Sequence, residues 1–95
     1  MMTTYTFRGF HIPEHMLYAL QQYVATHRPV GHFLTAIICN DLKEAVARAD
    51  DENLTNLPAY VGYLYNECPS ACWGSKKKMD DWLYPPEKEG EGEGR

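Results

Sequence analysis

Three adjacent ammonium groups, Lys76, Lys77 and Lys78, follow directly on Trp73, Gly74 and Ser75. An anion that carries a flat ring needs what these residues supply. The indole offers a π-face for stacking. Ser75 is a helix-start residue, and the first N–H groups of a helix have no internal partners and favour phosphate. Gly74 allows close approach to the backbone, and the lysines bring positive charge. The pattern is not a Walker loop, whose leading glycine and spacing are absent. The expected arrangement has Trp73 stacking on a base, Gly74 and Ser75 donating to phosphate, and Lys76 or Lys77 neutralising it. Tyr65 and Asn66 would line the opposite wall, while Asn40 and Asp41 would read a base edge or a ribose if they face the same pocket. The competing expectation is that Trp73 packs on the preceding helix and the lysines only solubilise the surface.

Other chemistry finds less support. His11 and His15 are four apart, as are Cys68 and Cys72, and together they have the composition of a tetrahedral zinc set. Pro13 lies between the histidines, so both rings would have to turn inward around a helix start. Cys72 and Ser75 are nucleophile types, and four histidines are present, but none stands in a strand-turn-helix elbow. Asp41, Glu44, Asp50 and Asp51 fall on different faces at helical spacing. No catalytic residue, metal or cofactor is assigned, and the chain reads as a binding protein and not an enzyme. Three cysteines, an odd number, argue against a disulfide framework and for free thiols in a reducing cytosol.

The elements that must position these groups are short. Tyr5-Thr6-Phe7-Arg8-Gly9-Phe10 alternates aromatic and polar residues and suggests an extended edge that pairs with its copy in a second subunit. Pro13 opens a helix whose buried face is Met16, Leu17, Leu20, Tyr23 and Val24. A second helical region begins near His32, with Phe33, Leu34, Ile37 and Ile38, then Leu42, Ala45, Val46 and Ala49, as its apolar positions. Either it runs through Asn40-Asp41, which would set a carboxylate beside an apolar stripe, or Asn40 caps a further helix. Asp50 to Asn53 marks a turn or fresh start. Leu57, Tyr60, Val61, Leu64, Tyr65 and Cys68 give a third apolar face that Pro69 ends. Ser75 then caps a last helix with Met79, Trp82 and Leu83 inward. The expected fold is mostly α: a small bundle of four to five short helices, with a short N-terminal strand.

Residues 1–84 form this helical domain, and 85–95, Pro-Pro followed by alternating Glu and Gly, are expected to be disordered. Roughly 80 residues bury only about 60–65% of their unfolded surface, so a homo-oligomer is expected. The net charge is −4, and the tail, with Glu87, Glu89, Glu91 and Glu93 against Lys88 and Arg95, holds half of it. The remaining domain is nearly neutral and lacks the basic face of a duplex nucleic-acid binder. No apolar run approaches the ~20 residues of a membrane span, and no signal peptide is evident at the start.

Ile12-Pro13, Pro29-Val30-Gly31-His32-Phe33-Leu34, Asn40-Asp41-Leu42, Glu44-Ala45-Val46, Ala49-Asp50, Tyr63-Leu64-Tyr65-Asn66 and Cys72-Trp73-Gly74-Ser75 resemble a family of small proteins of tailed phages and prophages. The likeness covers roughly residues 10–83 and transfers no binding residue. It implies origin: a phage accessory protein acting in the cytoplasm of an infected bacterial host. Such proteins include counter-defence factors, some of which sequester nucleotide signals in oligomers. The expected function is therefore capture of a nucleotide-like anionic ligand. The alternatives are an inhibitor that binds a host protein through exposed tyrosines, and a minor virion or assembly component.

Overall fold

A computed structural model describes residues 3–85. They form a two-stranded hairpin, β1 (Thr6–Phe7) and β2 (Phe10–His11), and six helices: α1 (Glu14–Thr26), α2 (His32–Ile38), α3 (Leu42–Arg48), α4 (Asp51–Thr55), α5 (Leu57–Glu67) and α6 (Lys76–Leu83). A 3-10 turn, Ser70–Cys72, links α5 to α6. The domain is mostly α, as its periodicity predicts, with one helix more than expected. None of its helices is long and apolar enough to cross a membrane. The expected disorder of the tail lies outside the described residues from position 86 on.

The N-terminal segment pairs with its own continuation instead of presenting a lone edge. Thr6 faces His11 and Phe7 faces Phe10, antiparallel. Arg8 and Gly9 both take positive φ, 51° and 84°, as a type I′ turn requires. The hairpin rests on α5, where Phe7 lies so close to Gly62 that a Cβ there would sit 2.7 Å from two ring carbons.

Caps and stops set the helix boundaries. Between α2 and α3 the chain breaks: Asn40 adopts φ 62°, and the Asp41 carboxylate accepts from Glu44 N–H at 3.2 Å. The break matches the capped alternative, but Asp41 is the cap and Asn40 the left-handed link before it. Asp50 caps α4 through Asn53 N–H at 2.8 Å, and this short helix accounts for the additional element.

Leu17, Leu20 and Tyr23 of α1, Phe33, Leu34, Ile37 and Ile38 of α2, and Tyr60, Tyr63 and Leu64 of α5 share one core. Phe33 meets Tyr60, and Tyr5 meets Tyr63, edge to face. Two helix faces depart from the periodic pattern. In α5 the buried side is Ala59, Tyr60, Gly62, Tyr63 and Leu64, while Val61 and Tyr65 are exposed. In α3 only Ala45 is buried, and Leu42 and Val46 face out. Both helices leave one side open to solvent. There the stripe that packs is set by neighbours: the hairpin claims Gly62 and so rotates the inward face of α5.

Tyr23 joins the two ends of the domain. Its hydroxyl donates to the Cys72 carbonyl at 2.7 Å, and its own carbonyl accepts from Trp82 Nε1 at 2.9 Å. α1 stops at His27, a left-handed cap with φ 58°. The His27 ring stacks on Trp82 with centroids 4.5 Å apart, and Nδ1 donates to the Trp82 carbonyl at 2.6 Å. A carbonyl only accepts, so the tautomer protonated on Nδ1 is the one held.

Candidate functional site

Ser75 starts α6 as its sequence predicts, with Oγ accepting from Lys78 N–H at 3.1 Å. That bond occupies one of the donors a phosphate would use. Gly74, at φ 115°, gives its N–H to the Ile38 carbonyl at 2.7 Å, tying the turn to the end of α2. The Trp73 ring is half-buried and meets Tyr65 at 6.5 Å between centroids. Its Nε1 is buried without a hydrogen-bond partner. The lysines are engaged along their own chain. Lys76 reaches Asp80 at 3.1 Å, Lys77 reaches Asp81 at 2.8 Å, and Lys78 reaches the Ser70 carbonyl at 3.2 Å. Asp81 raises the pKa of Lys77 accordingly.

The residues singled out in the sequence divide among three hollows. Tyr65 and Asn66 line one of about 590 Å³ beside the hairpin, with Phe7, Arg8 and Val61. Asn40 and Asp41 line a small one of about 70 Å³ with Leu42 and Val61. Asp41 and Lys76 meet in a third, a cleft of about 590 Å³ among α2, α3 and α6. Trp73, Gly74, Ser75 and Lys77 line none of the three. None of these three hollows unites the indole, the glycine turn and the cations, and the Gly74 N–H and the ammonium groups have partners within the chain.

The cleft is where similarly spaced faces of three helical segments converge. His32, Thr35, Ala36 and Cys39 come from α2 and its end, Asp41, Glu44 and Arg48 from α3, and Lys76, Met79, Asp80 and Leu83 from α6. Each set follows i, i+3, i+4 or i+7, one helical stripe. Its floor is apolar and sulfur-bearing, with the Cys39 thiol donating to Met79 Sδ at 3.6 Å. Burial raises the pKa of Cys39, so the floor stays uncharged. Its rim carries Arg48, paired with Glu44 at 3.1 Å, and Lys76, paired with Asp80. The Asp41 carboxylate accepts from Glu44 N–H. The lining thus holds two cations against three carboxylates. Arg48 and Asp80 escaped the sequence reading, although the 44/48 and 76/80 spacings are complementary ion-pair steps that mark exposed faces, and Glu44, expected on a different face from Asp41, lines the same cleft.

The zinc set does not assemble. His11 Nε2 lies 3.4 Å from Glu52, and His11 N–H donates to Asn56 Oδ1, which places it beside α4. Among the described residues no group of three or more ligating side chains converges. Cys68 and Cys72 form a pair of their own. The Cys68 thiol donates to Cys72, which raises Cys68, as burial also does, and lowers Cys72. Cys39, Cys68 and Cys72 are all free thiols.

Comparison with family models, with curated proteins and with solved structures finds no match for this chain. The functional reading therefore rests on the site itself.

Proposed function

We propose that the protein captures a small nucleotide-like ligand in the cleft among α2, α3 and α6, and acts by holding it. The observation that carries this reading is the meeting of Asp41, Arg48 and Lys76 above the floor of Ala36, Cys39 and Met79. A volume of about 590 Å³ falls within the ~300–1,000 Å³ of small-ligand sites. The base enters over the apolar floor, near the rings of His32 and Tyr84. Arg48 and Lys76 take the phosphate. Their present partners are exposed i, i+4 carboxylates, and such pairs contribute only about 0.3–0.5 kcal/mol, so a phosphate oxygen displaces Glu44 and Asp80 at small cost. Asp41 accepts from an exocyclic amine or a ribose hydroxyl. With two cations against three carboxylates, the site suits a monoester or diester and disfavours a triphosphate. In a phage accessory protein, withholding such a signal from the host would be counter-defence.

Calorimetry of the full chain against mononucleotides, cyclic di- and trinucleotides and adenosine-ribose compounds tests this. Binding by one class is expected, weakened at least tenfold by Arg48→Ala or Lys76→Ala and unchanged by Trp73→Ala. Silence across the panel refutes it. A second reading has its own support: Val61 and Tyr65 stand exposed on α5 and suit a host-protein contact. A stoichiometric partner that is lost with Tyr65→Ala and kept with Trp73→Ala would favour that reading.

A further inference from the structure

The outer face of α5 presents two exposed apolar side chains to solvent. Val61 and Tyr65, one turn apart, are 55% and 75% exposed. Across a shallow groove, Leu42 and Val46 of α3 are 70% and 44% exposed. The surface is continuous, because Leu57 and Val61 line both the hollow beside the hairpin and the one beside Leu42. From Leu57 to Asn66 the helix has no Asp, Glu, Lys, Arg or His. A solvated helix face normally carries such groups, and their absence removes the desolvation cost of covering this one.

We propose that this face pairs with the same face of a second copy, with α5 packed on α5 about a two-fold axis. The choice of occupant rests on shape, area and charge. The face is a ridge, Val61 and Tyr65, bordered by a hollow of about 590 Å³, so each copy offers both the projection and the recess that a self-complementary contact needs. Leu42, Val46, Val61 and Tyr65 stand exposed, and the half-buried Phe7, Leu57 and Pro58 complete an apolar patch. That is a fitting centre for the ~800 Å² per partner of a standard interface.

Charge fixes the orientation. Arg8 borders the hollow on the hairpin flank of the ridge, and Asp41 borders the hollow on the α3 flank. Among the described residues neither takes part in an ion pair. A two-fold axis parallel to the ridge and displaced towards the hollow seats each ridge in the other copy's recess, exchanges the flanks and turns Arg8 of each copy towards Asp41 of the other. An axis across the ridge would instead oppose Arg8 to Arg8. The near-parallel arrangement of the two α5 helices is therefore the one adopted. The pairing draws on Asp41, which the ligand reading also uses, but its readout is mass, so the two readings fail separately.

Sedimentation equilibrium of the full chain between 1 and 100 μM, on the order of typical weak-to-moderate dimer affinities, tests the proposal. The wild type is expected to dimerise, and Val61→Lys to weaken the dimer by about 100-fold while leaving the far-UV circular dichroism unchanged. Arg8→Asp and Asp41→Lys are each expected to weaken it, and the double exchange to restore it. A monomeric wild type at the highest concentration overturns the proposal and leaves the face for a different protein. A dimer indifferent to Val61→Lys overturns it as well. Failure of the double exchange to rescue overturns the assigned orientation.

Discussion

Tyr23→Phe isolates one bond that holds the turn before α6 in place. The ring is fully buried and stays, so packing is conserved and only the hydroxyl is removed. That hydroxyl donates to the Cys72 carbonyl at 2.7 Å, and Cys72 is itself fully buried. The variant loses a net bond of about 1 kcal/mol and strands a buried acceptor, so the total lies at about 1–3 kcal/mol. We expect about 1.5 kcal/mol. In urea, with a slope of roughly 1–1.5 kcal/mol/M for so small a domain, the midpoint falls by about 1 M, and the melting temperature by roughly 6–12 °C. Far-UV circular dichroism is the suitable probe, because Trp82 bonds to the Tyr23 carbonyl and its emission would respond to local change alone. A midpoint shifted by less than about 0.2 M, roughly 0.2–0.3 kcal/mol at that slope, would show that the Cys72 carbonyl finds another partner and that Tyr23 does not anchor the turn.

Three further outcomes are expected. Gly62→Ala adds a methyl 2.7 Å from the Phe7 ring and should destabilise by about 1–2 kcal/mol despite alanine's better helix propensity; a more stable variant in a thermal melt would mean the hairpin moves aside freely. Asp50→Ala removes the 2.8 Å cap on Asn53 N–H and should cost about 1 kcal/mol, whereas Asp50→Asn should stay within a few tenths; equal losses in urea titrations would contradict a capping role. Burial pushes the Tyr63 hydroxyl up to about 12 and also raises Tyr23 and Tyr60, whereas an unfolded tyrosine ionises near 10. The stability these three supply is whole below pH 10. It falls above that, at up to about 4 kcal/mol per pH unit, as the unfolded chain releases protons the folded one retains. Melting temperatures that hold steady from pH 9 to pH 11.5 would rule this out.

The features legible in the sequence are those decided within a few residues. Pro13, Pro69 and Ser75 mark helix boundaries because a missing N–H or a side-chain oxygen acts on the adjacent turn. The Asn40-Asp41 break is legible only as one of two alternatives, with Asn40 and not Asp41 as its cap. The inward face of α5 is not. Its period admits the stripe containing Val61 and Tyr65 as well as the one containing Ala59 and Tyr63, and Phe7, 55 positions before Gly62, decides between them. The candidate site divides similarly. Trp73 and Lys76 are near neighbours in the chain, yet the cleft takes Lys76 and leaves the indole outside it. Asp41 and Arg48 join Lys76 only because the Gly74 N–H to Ile38 bond brings α6 against the end of α2.

The clasp of His27, Tyr23 and Trp82 bears on how the molecule is made. Its partners are 55 and 59 residues apart, and Trp82 lies near the carboxyl end of the helical part. On a ribosome the first helix is synthesised long before the indole that secures it. At about 5–20 residues per second, the α1 segment waits several seconds for its counterpart. Until Trp82 is made the clasp cannot close, and a chain cut short before it lacks this tie between α1 and α6 and should be more open to proteases there.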